Sequence, residues 1–309
     1  MEPLRCGDRE LPLGRRTYVM GILNVTDDSF SGDGLLGEVD AAVERGRRFV
    51  ADGAAILDVG GESARADVRA LTPDEEIARV VPVIERLSRE VDAVISIDSY
   101  KEAVVEAAVR AGARLINDIG GFKLDTGTAR VAARYGVPLV INYTYERPKI
   151  RPAEPPHYAD LIGAHLAFFR ERIETAVALG VPRSQLVLDP GIAFGKSHDE
   201  DLTVLRRLGE FRALGLPLLV AASRKHVIGS VLGLPPEDRV EGTAAVVALA
   251  IAAGADIVRV HDVRAMARVA RMADAIVRAE PGDFAPTAES WPWAASARAI
   301  PGTTIAGQR

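Results

Sequence analysis

The sequence predicts an α/β protein in which eight strands, each followed by a helix, close into a single (β/α)8 TIM barrel with a short N-terminal extension and a C-terminal tail. Three observations carry that expectation. Six times a glycine precedes a short run rich in β-branched residues or leucine that ends on a polar residue. Two further runs of the same character, 18–24 and 93–98, raise the number of β-α units to eight, whereas a doubly wound sheet usually stops at five or six strands. Finally, all eight runs are almost wholly apolar until their last residues, which are polar or charged. That asymmetry belongs to strands buried on both faces with a site at one mouth of the barrel.

Taken in order, residues 1–16 alternate charge and proline and lack the apolar core and cleavage site of a secretory leader. They form the extension. The first strand ends at Asn24 and runs into Val25, Thr26, Asp27, Asp28 and Ser29; the second follows Gly53 and ends at Asp58, before Gly60, Gly61, Glu62, Ser63, Ala64 and Arg65. The third ends at Asp98, the fourth follows Gly112 to Asn117 and Asp118, and the fifth follows Gly136 to Asn142 and Tyr143. The sixth follows Gly180 to Asp189, Pro190 and Gly191; the seventh follows Gly215 to Ser223, Arg224 and Lys225; the eighth follows Gly254 to Arg259, His261 and Asp262. Amphipathic stretches such as 102–110, 161–179 and 201–214 precede these glycines, which therefore sit where a helix ends in a left-handed residue. From residue 280 the periodicity stops among Pro281, Pro286, Pro292 and Pro301, with Trp291 and Trp293 in an Ala-rich setting. The expected division is a barrel domain, 1–279, and a flexible tail, 280–309.

Composition narrows the function. With 48% hydrophobic and 26% charged residues in a chain of 309, a sizeable core is available. A net charge of −5 offers no basic field for nucleic acid or an anionic membrane, so any phosphate site must be a local arrangement. The longest apolar stretch, 242–255, is too short to span a bilayer. The single cysteine, Cys6, excludes an internal disulfide and fits a reducing compartment, so a cytoplasmic location is expected.

The residues at the strand ends fall into two chemical sets. Asp98, Asn117, Asp189 and Lys225 place carboxylates, an amide and an ammonium on the barrel floor, where burial is costly unless donors and acceptors are met. A flat nitrogen heterocycle with amino, ring N–H and carbonyl groups meets them, and a 2-amino-4-oxo pterin has that edge. Arg259, His261, Asn24 and Thr26 come from the eighth and first strands, neighbours once the barrel closes. An arginine fork with a histidine grips a polyphosphate. Asn24 adds an oxygen ligand for a Mg2+ bridging phosphate oxygens, because Mg2+ prefers few protein ligands.

Seven stretches, in order and one to a strand, resemble the dihydropteroate synthase family: MGILNVTDDSFSGDG from Met20, DVGGESAR from Asp58, SIDSYK from Ser96, INDIGG from Ile116, LDPGIAFGK from Leu188, SRK from Ser223 and RVHDV from Arg259. The resemblance covers about residues 18 to 263 and is far more specific than any one motif. It implies a transferase of folate biosynthesis joining dihydropterin pyrophosphate to p-aminobenzoate. It gives Asp98, Asn117, Asp189 and Lys225 to the pterin, Asn24, Thr26, Arg259 and His261 to the pyrophosphate, with Mg2+ at Asn24. Ser63, Arg65, Phe194, Ser223 and Lys225 would border the aminobenzoate; Asp98, Asp189, Lys225, Arg259 and His261 form the implied catalytic set. It also implies a homodimer through the outer helices.

The chain departs from the family pattern in four places. Asp27 and Asp28 follow Thr26 where Pro-Asp is usual, with Gly32, Asp33 and Gly34 for Asp-Gly-Gly; Ser63, Ala64, Arg65, Ala66 and Asp67 stand for Ser-Thr-Arg-Pro-Gly. Asn142 and Tyr143 replace Met-His, and Ala193 replaces a glycine. Two other readings stay open at this level. A catalytically silent pterin-binding paralogue is compatible with the altered loops, and a methyltetrahydrofolate-dependent corrinoid methyltransferase shares the Asp, Asn and Asp of strands three, four and six. The latter has no need of Ser223, Lys225, Arg259 and His261. A Schiff-base role for Lys225 lacks matching neighbours.

Overall fold

The computed structural model describes residues 1–26, 38–63, 68–123, 125–145 and 156–279. Its first element is a hairpin within the N-terminal extension. Strands β1 (Leu4–Cys6) and β2 (Arg9–Leu11) pair antiparallel around Gly7, whose φ of 71° and close approach to the Arg114 side chain suit a residue without Cβ. Strands of three residues carry too little alternation to show in the pattern. Their buried members Leu4, Cys6 and Leu11 plug the N-terminal mouth of the barrel against Tyr18, Met20, Ile56, Val94, Leu115, Val140 and Ile257.

Eight parallel strands follow: β3 (Tyr18–Asn24), β4 (Ile56–Gly60), β5 (Val94–Asp98), β6 (Leu115–Asp118), β7 (Leu139–Asn142), β8 (Leu186–Asp189), β9 (Leu219–Val220) and β10 (Ile257–Val260). They are hydrogen-bonded in the order β8-β7-β6-β5-β4-β3-β10-β9. The last gap is bridged where Leu188 N–H donates to the Pro217 carbonyl at 2.9 Å and Leu188 pairs with Leu218. Alternation along β3 shows the two cores: Tyr18 and Met20 face the barrel interior, while Val19 and Leu23 face the helices.

Nine helices clothe the described barrel: α1 (Val39–Ala51), α2 (Pro73–Glu90), α3 (Glu102–Ala111), α4 (Gly127–Tyr135), α5 (Leu161–Ala178), α6 (His198–Arg206), α7 (His226–Leu232), α8 (Val240–Ala252) and α9 (Val263–Val277). All six repeat glycines have positive φ, so the punctuation read from the sequence is the backbone chirality of the helix-to-strand turns. The stretch 201–214 is not one helix. It breaks after α6 into a 3-10 segment, Leu208–Leu214, around Gly209, a poor residue for a helix interior. Ser197 starts α6 and Thr72 starts α2 with complete capping boxes to Glu200 and Glu75, which fixes where the preceding loops end. Trp291, Trp293 and the rest of the 280–309 tail lie outside the described residues.

Candidate active site

The register of the strands gathers the polar ends at one mouth. Asp98 of β5 pairs across with Asn117 of β6, and Asn142 of β7 with Asp189 of β8. Arg259 reaches inward from β10, its Nε donating to Asp58 Oδ2 and its Nη2 to Asp98 Oδ2, both at 2.6 Å. Asn117 Nδ2 donates to the same Asp58 oxygen at 2.9 Å. Lys225, at the start of α7, donates to the Ile192 carbonyl at 2.7 Å, and its ammonium stands 4.8 Å from the centre of the Phe194 ring. Lys225 and Arg259 each feel the charge of both Asp98 and Asp189. Residues spread over more than half the chain therefore meet at one mouth of the barrel.

Burial sets the protonation equilibria there. It pushes the Asp98 carboxyl up despite Arg259 beside it, with Asp58 and Glu76 adding repulsion. It likewise raises Asp189, against Lys225 and the Gly191 N–H that donates to it at 2.8 Å. Lys225 is depressed to about 8, chiefly by burial. Two carboxylate oxygens, Asp58 Oδ1 and Asp98 Oδ1, are buried with no hydrogen-bond partner among the described residues. An acceptor left so is expensive, and such atoms are where a donor-rich ligand gains most.

The second set lies beside this floor. The His261 backbone N–H donates to Ser223 Oγ at 3.1 Å, and Ser223 Oγ also meets His261 Nδ1 at 3.0 Å. The Ser223 hydroxyl, with one proton and two lone pairs, can donate to Nδ1 or accept from it while taking the backbone N–H, so the contact fixes the orientation of the imidazole. Asn24 ends β3 half-buried and Thr26 is buried beyond it, on the strand that pairs with β10. Ser63 is half-buried after β4; Arg65 lies outside the described residues, with Ala64 and the loop at 27–37.

Three residues with no role assigned from the sequence belong to the site. Asp58 was visible only as the polar end of the second repeat, yet it is fully buried and holds both Arg259 and Asn117. The Lys196 and Asp201 side chains lie wholly buried near Lys225; Lys196 closes the stretch LDPGIAFGK without a role read from it, and nothing in the local pattern separates Asp201 from surface charge. Tyr143 fills the barrel wall: it stacks on His165 with ring centres 3.5 Å apart and its hydroxyl meets that of Tyr158. Arg224 forms a fork with Asp262, its Nε and Nη2 donating to the two carboxylate oxygens at 2.9 and 2.5 Å.

Ala193 adopts a φ of 68°, the left-handed region that costs a residue with Cβ about 1–2 kcal/mol. Its replacement of a glycine is thus a local strain. Ala193→Gly should raise the stability by about 1 kcal/mol, after allowance for the freer unfolded chain, as read from the urea midpoint. A lowered midpoint would show that the methyl group's packing outweighs the strain.

The chain matches the model of the pterin binding enzyme family over residues 20–261. It is 47% identical to a dihydropteroate synthase of Bacillus subtilis across 85% of this chain and 89% of that one. The chain belongs to the dihydropteroate synthase family. As a member it is a transferase, and its fold agrees with solved structures of the family. The Yersinia pestis synthase in a sulfonamide drug complex superposes with a TM-score of 0.86 at 39% identity, covering 90% of this chain and 100% of the other. The Xanthomonas albilineans synthase in complex with 7,8-dihydropteroate gives 0.79 at 36% identity, covering 91% and 100%.

Proposed function

We propose that this chain condenses 6-hydroxymethyl-7,8-dihydropterin pyrophosphate with p-aminobenzoate, forming 7,8-dihydropteroate and pyrophosphate for folate biosynthesis. The observation that carries the reading is the pair of orphaned carboxylate oxygens, Asp58 Oδ1 and Asp98 Oδ1, beside Arg259 on a pocket floor. A pterin supplies the missing N–H donors. Asp98, Asn117 and Asp189 take its amino and ring N–H edge, and Lys225 donates to its carbonyl or ring nitrogen.

The pyrophosphate lies toward Arg259, His261, Asn24 and Thr26. Two of the five Arg259 N–H groups are engaged by Asp58 and Asp98, which leaves three for the anion. His261 turns its Nδ1 to Ser223, which leaves Nε2 as the ring nitrogen for the anion. Asn24 and Thr26 are hard oxygen donors that suit Mg2+, while no cluster of three acidic, histidine or cysteine side chains occurs among the described residues. That donor set fits an ion that arrives with the pyrophosphate and that Asn24 would help hold. Bound there, Mg2+ would neutralise charge on the leaving group. Ser63, Phe194, Ser223 and Lys225 border the aminobenzoate in this reading, and the family resemblance adds Arg65, which lies outside the described residues.

The C–O bond breaks ahead of attack, its electron pair leaving on the pyrophosphate. Asp98 and Asp189 lie beside the pterin on which positive charge develops, and Arg259 and His261 face the departing anion. The aminobenzoate nitrogen then bonds to the methylene carbon and sheds a proton. Pyrophosphate release measured with both substrates tests the reading. Release that requires both supports it; tight pterin binding without release would establish the silent alternative.

The same proposal includes a homodimer and a cytoplasmic location. Leu249 on α8 and Met272 and Ile276 on α9 are 70%, 62% and 73% exposed on helices packed side by side, an apolar face that a second copy would cover. Light scattering should report a dimer that the Leu249→Glu, Ile276→Glu variant converts to a folded monomer. A monomeric native chain would refute it. A lone, buried thiol at Cys6 suits the cytoplasm, and no described helix is long and apolar enough to cross a membrane.

A further inference from the structure

The segment between β8 and α6 carries more positive-φ residues than any other loop described: Gly191 at 67°, Ala193 at 68° and Gly195 at 76°. Such a path exposes backbone groups to both sides, and a buried ion pair takes them up. Lys196 donates to the Pro190 carbonyl at 3.4 Å and to the Gly191 carbonyl. Asp201, in the first turn of α6, accepts the Ala193 N–H on both oxygens, at 3.1 and 3.0 Å. The two side chains lie 3.8 Å apart with no exposed surface on either. The carbonyl between these fixed points, that of Ile192, is the one to which Lys225 donates, and Phe194, two residues further along, sets its ring 4.8 Å from the same ammonium.

We propose that Lys196 and Asp201 are positioning residues that lock the 190–194 backbone so that the Ile192 carbonyl and the Phe194 ring hold the Lys225 ammonium in place for the reaction. The inference rests on the synthase reading. A buried ion pair this long, 3.8 Å, is a poor source of stability, because removing two charges from water costs more than a loose pair returns. Its justification lies in what it aims. Neither side chain touches substrate; both act through the loop.

The charges facing Lys225 come from Asp189 on β8, Asp98 on β5, Arg259 on β10 and Asp201 on α6, with Lys196 behind the loop. Asp201 favours the charged form of Lys225. Asp201→Asn keeps an acceptor for Ala193 and removes that charge. Lys196 can then shed its own proton, since burial already depresses it to about 8. The variant should fold, lose about 10- to 100-fold in kcat/KM, and show the alkaline limb of its rate profile at lower pH than wild type.

A second variant, Lys196→Met with Asp201→Asn, removes both charges and leaves neither orphaned, which separates positioning from folding. Its melting temperature should stay close to the wild-type value while kcat/KM falls by the same order. A second readout needs no turnover: calorimetry of 6-hydroxymethylpterin across the alkaline range, where binding by the Asp201→Asn variant should weaken at lower pH than binding by the wild type. Wild-type turnover together with an unchanged rate and pH profile in both variants would overturn the locking role alone. Absence of wild-type pyrophosphate release would instead remove the synthase reading, and an unchanged pterin-binding profile would still overturn the lock.

Discussion

Arg259→Ala should lower kcat/KM for pyrophosphate release by about 10³-fold and cost about 3–5 kcal/mol of stability. The two losses share a cause. Arg259 is the cation between the buried carboxylates of Asp58 and Asp98, whose side chains are 0% and 16% exposed. Without it they face each other unpaired, and Asp98 loses the neighbour that opposes its desolvation. A folded carboxyl raised above its unfolded value binds its proton more tightly in the native state. Stability therefore falls as pH rises above the unfolded value, near 3.8, and the variant's deficit should grow from acid toward neutral pH. Urea denaturation at two pH values reads that directly. Arg259→Lys restores a charge without the fork, so it should recover most of the stability while remaining more than about 10²-fold slow. Wild-type rates in that variant would confine Arg259 to a structural role.

The barrel was legible because its punctuation is physical. A glycine at six of the helix ends, a buried run and a polar strand end are separate consequences of one geometry, and eight runs of that kind leave little else to build. The hairpin at the N-terminal mouth was not legible, since Leu4, Cys6 and Leu11 read as scattered apolar residues until the barrel interior is there to receive them. In the site, Asp98, Asn117, Asp189 and Lys225 could be named because each ends a strand or begins the loop beyond it. Asp58 lies in the middle of β4, and its part depends on Arg259 arriving from 201 residues away. Lys196 and Asp201 end nothing. Their importance arises from closure of a loop whose backbone turns are set by φ values at Gly191, Ala193 and Gly195.

The rate should fall as pH rises through about 8, and stability should not fall with it. Lys225 has its folded value depressed from 10.5 to about 8, first by burial and also by Arg259, against the opposing carboxylates of Asp189, Asp201 and Asp98. In the proposed site the ammonium is the form that would donate to the pterin, so activity should be lost as the proton leaves. For stability the sign is opposite. Between about 8 and 10.5 the unfolded chain still holds this proton and the folded chain does not, so raising pH through that window shifts the balance toward the native state. A falling rate with a steady or rising contribution to stability is the signature of one titrating site group, whereas alkaline unfolding would lower both together. Lys225→Met should abolish turnover by about 10³-fold or more and erase this limb from pterin binding, with the melting temperature unchanged or higher because a buried charge has gone. A limb near the same pH in Lys225→Met would assign the titration to Lys196, which burial also depresses to about 8 and which points away from the pocket toward the carbonyls of Pro190 and Gly191.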